Sequence, residues 1–293
     1  MFVLPPLPLE LIALILDHLL DSEMRLASQL ATLSKSLNPY IDAHIYRNVV
    51  LGRDQARYFI RTLLSGIKPG SFFRSKVKSI CFIHEPKIDL EDLAFIFSAC
   101  SEMRSLSFCL PSWKLFCIND ALQHGGPFLI RICCSLSNFD FDRTGSNYHI
   151  AKYLTHVDIT AHLLFPDEFR HLAAFRRTTH LAIWLAKISH LLHIQPTLPA
   201  SLEVCITFLS DATDIVDMWF KNKDIAGRFV YHSARSDPLH IKLDADYAIS
   251  TSWHSAPSIP DAFMEAWARP DGGSTVWEAA ERIVELQKTL KAT

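Results

Sequence analysis

The stretch SICF at residues 79–82 opens a series that organises most of the chain. SLSF (105–108), RICC (131–134), THVDI (155–159), HLAIW (180–184), EVCITF (203–208) and RFVY (228–231) follow it. Each carries two apolar residues two apart: Ile80/Phe82, Leu106/Phe108, Ile132/Cys134, Val157/Ile159, Leu181/Ile183, Val204/Ile206 and Phe229/Tyr231. Alternation with period two marks a strand with one face turned to a core. The first members step by 26, 26, 25, 24, 23 and 25 residues. A step this even means one structural unit repeated.

The intervals supply the returning helices. DLEDLAFIFSAC (89–100), PDEFRHLAAFRR (166–177) and ATDIVDMWFKNK (212–223) have amphipathic spacing. VVL (49–51) reads as an earlier strand with DQARYFIRTLLSG (54–66) as its helix, and HIKLD (240–244) as a closing strand. One strand–helix unit cannot bury its apolar face, whereas stacked units share a continuous core. The expectation is therefore an α/β solenoid of parallel strands over residues 50–245, with a period in the leucine-rich-repeat range. The alternative is a doubly wound α/β sheet, which is built from βα units of similar length. Against it, neither Gly125-Gly126 nor Gly272-Gly273, among 9 glycines, falls in a G-x-G-x-x-G or Walker-type frame.

Composition sets the bounds. At 293 residues, 49% hydrophobic and 20% charged, the chain can bury a large core and does not read as disordered. A net charge of -2 gives no global pull toward nucleic acid or anionic membrane. A local run of Arg53, Arg57, Arg61, Lys68, Arg74, Lys76 and Lys78 is either a solvated face or an electropositive partner site. The seven cysteines are odd in number and lack a C-x-x-C pair; Cys109 and Cys205 lie in apolar runs, as buried thiols of a reducing compartment do. The apolar N-terminus contains Pro5, Pro6, Pro8, Glu10 and Asp17 and has no Lys or Arg before Arg25, unlike a secretory signal. No apolar run reaches bilayer length. The expected location is cytoplasm or nucleus.

The first 49 residues have a different texture. Helices are expected over 8–20, with Pro8 near the start, over Ser22–Leu33, and over Asn38–Tyr46, opened by Asn38 as cap and Pro39 in the first turn. At the far end, 246–293 is expected as a capping segment whose helix, 275–291, closes the end of the solenoid with a polar-backed face.

The head carries Leu7-Pro8-Leu9-Glu10-Leu11-Ile12, then Ile15 and Leu19, then Leu26, Leu30 and Leu33, Tyr40-Ile41 and Ile45-Tyr46-Arg47-Asn48-Val49. This resembles the F-box, which opens with Leu-Pro-x-Glu and an apolar helix. The layout of head and repeat resembles fungal F-box-like proteins, many of which end in a W-E-x-A-E helix, as Trp277-Glu278-Ala279-Ala280-Glu281 does. The tryptophan of the family's third helix is missing, with Ser36-Leu37 near its place, and the repeats lack the Asn/Cys turn residue, Glu85 and Pro111 standing there. The resemblance implies a substrate receptor of a cullin-RING ubiquitin ligase. Leu7, Pro8, Leu11, Ile15 and Leu19 would dock on a Skp-type adaptor, and the solenoid would hold an unknown target protein. Alternatively those apolar residues pack the head's own core, and the chain is a solenoid binding module without a ligase role.

If strands line a wall, the residues flanking each inward pair face outward. The outward rows then run Ser79, Ser105, Arg131, His156, His180, Glu203, Arg228 and Cys81, Ser107, Cys133, Asp158, Ala182, Cys205, Val230. The second row is small, so the wall is expected to be open. Arg131, His156, Asp158, His180 and Trp184 form the candidate partner-binding cluster, unless Trp184 lies beneath a neighbouring loop. Enzyme readings find little support. His190-x-x-His193 lacks the Glu of H-E-x-x-H, no G-x-S-x-G elbow is present, and Asp142, Asp158 and Asp167-Glu168 do not converge. No catalytic residue, metal or cofactor is expected; an enzyme on a doubly wound fold is the distant alternative.

Overall fold

The computed structural model describes residues 8–22, 29–30, 37–82, 88–108, 128–134, 151, 153–160, 166–186, 198–209, 229–233, 277 and 281. Eight strands lie in one sheet: β1 (Asn48–Leu51), β2 (Ser79–Phe82), β3 (Ser105–Phe108), β4 (Arg131–Cys134), β5 (His156–Thr160), β6 (His180–Ala186), β7 (Val204–Leu209) and β8 (Phe229–Ser233). The order along the sheet is the order along the chain, and every pair is parallel. A doubly wound sheet reverses its order at a switch point. None occurs among these strands, so that alternative is set aside in favour of a solenoid-like α/β arrangement.

The register is nearly strict. Val49, Ile80, Leu106, Ile132, Val157 and Leu181 stand side by side, as do Leu51, Phe82 and Phe108 in the next inward row. Both rows belong to one buried apolar cluster that runs from Val49 to Cys205. Phe82 and Phe108 stack at 5.2 Å across adjacent strands. A third buried row precedes strands β2 to β7: Val77, Met103, Leu129, Leu154, Thr178 and Leu202. The unit is thus apolar-x-x-apolar-x-apolar. Thr178 fits this row because its hydroxyl donates to the Leu154 carbonyl at 3.1 Å.

Strand entry repeats as well. The carbonyl before each strand accepts from two successive amides of the next unit: Arg47 from Lys78 and Ser79, Lys78 from Arg104 and Ser105, and so on to Thr179 from Glu203 and Val204. This ladder corrects the expected register of β7. His180 pairs with Val204 and Leu181 with Cys205, so Cys205 takes the inward place expected of Val204, and Ile206 stands beside Ala182. The backbone ladder and Leu202 set this register, overriding the greater apolarity of Val204 and Ile206. Register then places Phe229 opposite Cys205.

Helices precede and separate the first three strands. Helix α1 spans Leu9–Ser22 and α2 spans Asn38–Ile45. Leu37, not Asn38, is the cap of α2, with proline in its first turn. Helices α3 (Gln55–Leu64), α4 (Gly70–Lys76) and α5 (Leu90–Ala99) follow. Gly66, at φ 67°, adopts the left-handed conformation just past α3 that ends a helix without steric cost. Asp89 caps α5 by accepting from the Asp92 amide at 2.8 Å. Helix α4 was not expected from sequence; it buries Phe73, which meets Tyr46 and Phe59 edge-on.

Residues Pro166–Ala174, expected as an α-helix over 166–177, form a 3-10 helix. Buried Phe169 and Leu172, and Phe175 just past the helix, lie three apart, whereas α5 buries Leu93, Ile96 and Phe97. A 3-10 helix rises about 2.0 Å per residue against about 1.5 Å for an α-helix. The unit between β5 and β6 is shorter than that between β2 and β3, and the faster rise lets fewer residues make the return.

The domain limit expected between residues 49 and 50 falls inside β1, which already pairs with β2. Of the expected helix Ser22–Leu33, the middle and end are described only at Gln29 and Leu30, which are helical; ATDIVDMWFKNK and HIKLD lie outside the described residues.

Candidate functional site

Two surfaces bear the residues singled out from sequence. The first is α1. Leu16 and Leu20 are buried with Ile41 of α2 in a small core of their own, joined by the partly buried Ile12, Leu30, Leu37 and Ile45. Ile12, Leu16 and Leu20 are spaced by four and form one stripe. Leu11, Ile15 and Leu19 form the next stripe, turned about 100° around the helix. These three are 45%, 49% and 38% exposed, and Leu14 beside them is 64% exposed. Pro8 is exposed, and its carbonyl accepts from the amides of Leu11 and Ile12, starting the helix. Leu7 lies outside the described residues. The stripe expected to bind an adaptor is therefore not the stripe that packs the head.

The second surface is the outward face of β4–β6. Register sets Arg131, His156 and His180 side by side. Arg131 Nε donates to Asp158 Oδ2 at 2.9 Å, with both side chains largely removed from solvent. The imidazoles of His156 and His180 stack at 4.3 Å with planes 10° apart. Each histidine is preceded by a threonine that fixes its ring: Thr155 Oγ1 lies 2.9 Å from His156 Nδ1, and Thr179 Oγ1 lies 2.8 Å from His180 Nδ1. Thr155 Oγ1 also donates to the Ile130 carbonyl, which uses its single proton. His156 Nδ1 therefore carries the hydrogen of that pair. Burial, then His180, then Arg131 lower the His156 pKa to about 4, so the ring is neutral near pH 7.

Two residues from near the C-terminus lie against this face. Trp277, buried, meets His156 and His180 edge-on at 5.4 and 5.2 Å. Glu281, one helical turn on, bonds His180 Nε2 through Oε1 at 2.8 Å. A carboxylate only accepts, so His180 Nε2 is the donor. Trp277 and Glu281, expected in a helix capping the end of the solenoid, lie instead against the middle strands β5 and β6. The wall expected to be open is not open there: Cys81, Ser107, Cys133, Asp158 and Ala182 are all at most 1% exposed. Arg131 and His180 are buried too. Trp184 is described by its backbone alone, which pairs with Thr160 and Phe208.

The structure brings Arg131, His156, Asp158 and His180 together on one face and sets Trp277 and Glu281 beside them. The spacing of Trp277 and Glu281 by four was legible in sequence; their partners, about a hundred residues earlier, were not.

The basic run divides. Lys68 pairs with Asp42 of α2 and Lys78 with Glu102, while Arg53, Arg57, Arg61, Arg74 and Lys76 are exposed. Cys81, Cys100, Cys133, Cys134 and Cys205 are all buried, and burial pushes the Cys100 thiol up to about 12. Among the described residues no group of three or more His, Cys, Asp or Glu is placed to hold a metal, and no helix is long and apolar enough to cross a membrane. His190 and His193 lie outside the described residues. Compared with known proteins, the chain matches no family model, and no curated protein matches it.

Proposed function

We propose that this chain is a substrate receptor of F-box type, acting in the cytoplasm or nucleus. Its N-terminal helices bind a Skp-type adaptor of a cullin-RING ubiquitin ligase, and its leucine-rich-repeat-like solenoid holds the target protein. The observation that carries the reading is the division of α1 into two stripes. Leu16 and Leu20 satisfy the head's own core, while Leu11, Ile15 and Leu19 remain 38–49% exposed in a line. A line of apolar side chains on one helix face is the form in which helices dock on partners. The repeated apolar-x-x-apolar-x-apolar unit and the sequential parallel sheet support the second half of the reading. The chain itself performs no chemistry under this proposal. It raises the effective concentration of a target lysine near the charged conjugating enzyme.

The test is co-purification of the full chain with a Skp-type adaptor. The expected result is a stoichiometric complex that Leu11→Asp and Ile15→Asp abolish without unfolding the chain. Absence of binding by the intact chain, or binding that both variants retain, leaves a solenoid binding module without a ligase role.

A further inference from the structure

Each buried residue of the row preceding β2 to β5 lies between two that are exposed or half-exposed. Lys76 and Lys78 flank Val77, and Glu102 and Arg104 flank Met103. At the next two units the charges are gone. Phe128 and Ile130 flank Leu129, and Tyr153 and Thr155 flank Leu154. Arg177 restores a charge in the unit before β6. These positions are neighbours in space as well. The strand-entry ladder sets Arg104, Ile130 and Thr155 on consecutive rungs. Two residues earlier in their units, Phe128 and Tyr153 meet edge to face at 5.6 Å. Phe128 is nevertheless 70% exposed, Ile130 41% and Tyr153 38%.

The fold does not need these apolar side chains, because Leu129 and Leu154 already supply the core at their units. A solvated position is served by charges, as at Lys76 and Glu102. A single exposed apolar residue is ordinary, whereas a contiguous patch marks an interaction site. The patch is also rigid. The Ile130 carbonyl accepts from the Thr155 and His156 amides, so little ordering remains to be done on binding. Its borders are basic, with Arg104 exposed on one side and Arg176 and Arg177 on the other. Among the described residues no carboxylate pairs with any of the three. Aromatic side chains with arginine beside them are the composition of strong protein interfaces.

Exposed aromatics beside arginine also suit stacked bases. Two features favour a protein. The two rings stand at 78° and offer no successive parallel faces for stacking. Glu102 and Glu203, at the two ends of this run, oppose a continuous phosphate backbone but leave room for separate carboxylates. We propose that Phe128, Ile130 and Tyr153, bordered by Arg104 and Arg177, form a docking surface for an acidic, apolar segment of a protein. One aromatic or branched aliphatic side chain of that segment packs on the exposed rings, and carboxylates on either side of it reach the arginines. This rests on the target-capture half of the functional reading, which it deepens, and does not depend on adaptor binding by α1.

The probe is a phage-displayed library of random short peptides, panned in parallel on the intact full chain and on two full-length variants. Phe128→Ser/Tyr153→Ser removes the rings. Arg104→Glu/Arg177→Glu reverses the borders without touching an apolar side chain, and keeps the test decisive if the first variant is destabilised. Peptides with an apolar residue between Asp or Glu residues are expected to be enriched on the intact chain and on neither variant. A selected peptide, labelled with fluorescein and titrated by anisotropy, should bind each variant at least about ten-fold more weakly than the intact chain. Its affinity should also fall as salt is raised. No enrichment, a consensus without carboxylates, or equal affinity for the intact chain and the variants overturns the proposal. Labelled oligouridylate that binds the intact chain more tightly than the peptide does would assign the patch to nucleic acid and overturn it too. Adaptor co-purification from the same preparations reads α1 separately. Adaptor bound without peptide sinks this surface alone, and peptide bound without adaptor sinks only the ligase half of the functional reading.

Discussion

Helix α1 and the outward face of β4–β6 invert the usual arrangement of polar and apolar groups. Helix α1 leaves Leu11, Leu14, Ile15 and Leu19 to solvent, while the sheet buries Arg131, Asp158 and His180. Neither state follows from side-chain polarity alone. Helix α1 is apolar around more of its circumference than α2 can cover, so one stripe is left over. The sheet face is polar, but its groups satisfy one another, and Trp277 packs against it. The outer stripe of α1 is therefore exposed, and the outward face of β5 and β6 is covered by Trp277. The candidate residues named from the sequence fall on both surfaces.

The contrast can be tested by removing one member of each buried set. Asp158→Ala leaves the Arg131 guanidinium buried without its carboxylate and is expected to destabilise the chain by about 3–5 kcal/mol, read by urea unfolding. Glu102→Ala, at the exposed pair with Lys78, is expected to cost no more than about 1 kcal/mol in the same assay. Comparable losses would mean that the Arg131–Asp158 pair is solvated.

Within α1 the same logic separates the stripes. Leu20→Ala removes a buried side chain and should cost about 2–5 kcal/mol. Ile15→Ala on the exposed stripe should stay within about 0.5 kcal/mol. Thermal melts that shift equally for both would place Ile15 in the head's core and remove the basis for adaptor docking.

The pH dependence follows from His156. The unfolded ring takes its proton near pH 6.5, and the folded one only near about 4. Between those values the unfolded chain binds more protons, so stability falls as pH falls. The slope is at most about 1.4 kcal/mol per pH unit, reduced by whatever water reaches the ring. Arg131, Asp158, His180 and Glu281 share this site, so the comparison that isolates His156 is His156→Asn. That variant should flatten the profile between pH 6.5 and 4, and an unchanged profile would assign the dependence elsewhere.

The smallest effect concerns the rim. Glu281→Gln keeps a hydrogen-bonding partner for His180 and leaves Trp277 in place, so urea midpoints should move by less than about 1 kcal/mol. A loss approaching that of Asp158→Ala would make Glu281 part of the buried network.

Much of this architecture was legible along the chain because a stacked unit repeats its requirements locally. Every unit needs an apolar pair two apart at nearly constant spacing, and Ile80/Phe82 through Leu181/Ile183 state it directly. β7 departs from the expected register because its inward residue is Cys205, flanked by the more apolar Val204 and Ile206. Leu202, three residues before Cys205, is the signal that aligns β7 with Val77, Met103 and Leu129. The three-residue spacing of Phe169, Leu172 and Phe175 likewise carries the period of a 3-10 helix.

Periodicity thus carried the parallel strands, their order and most of their register, because neighbouring units meet through contacts between equivalent positions. Which stripe of α1 packs and which stays exposed depended on where α2 lies. Whether the polar face of β4–β6 is open depended on a segment about a hundred residues downstream of His180. Spacing within a chain records what each unit must bury; only the packed molecule decides which surfaces find a cover.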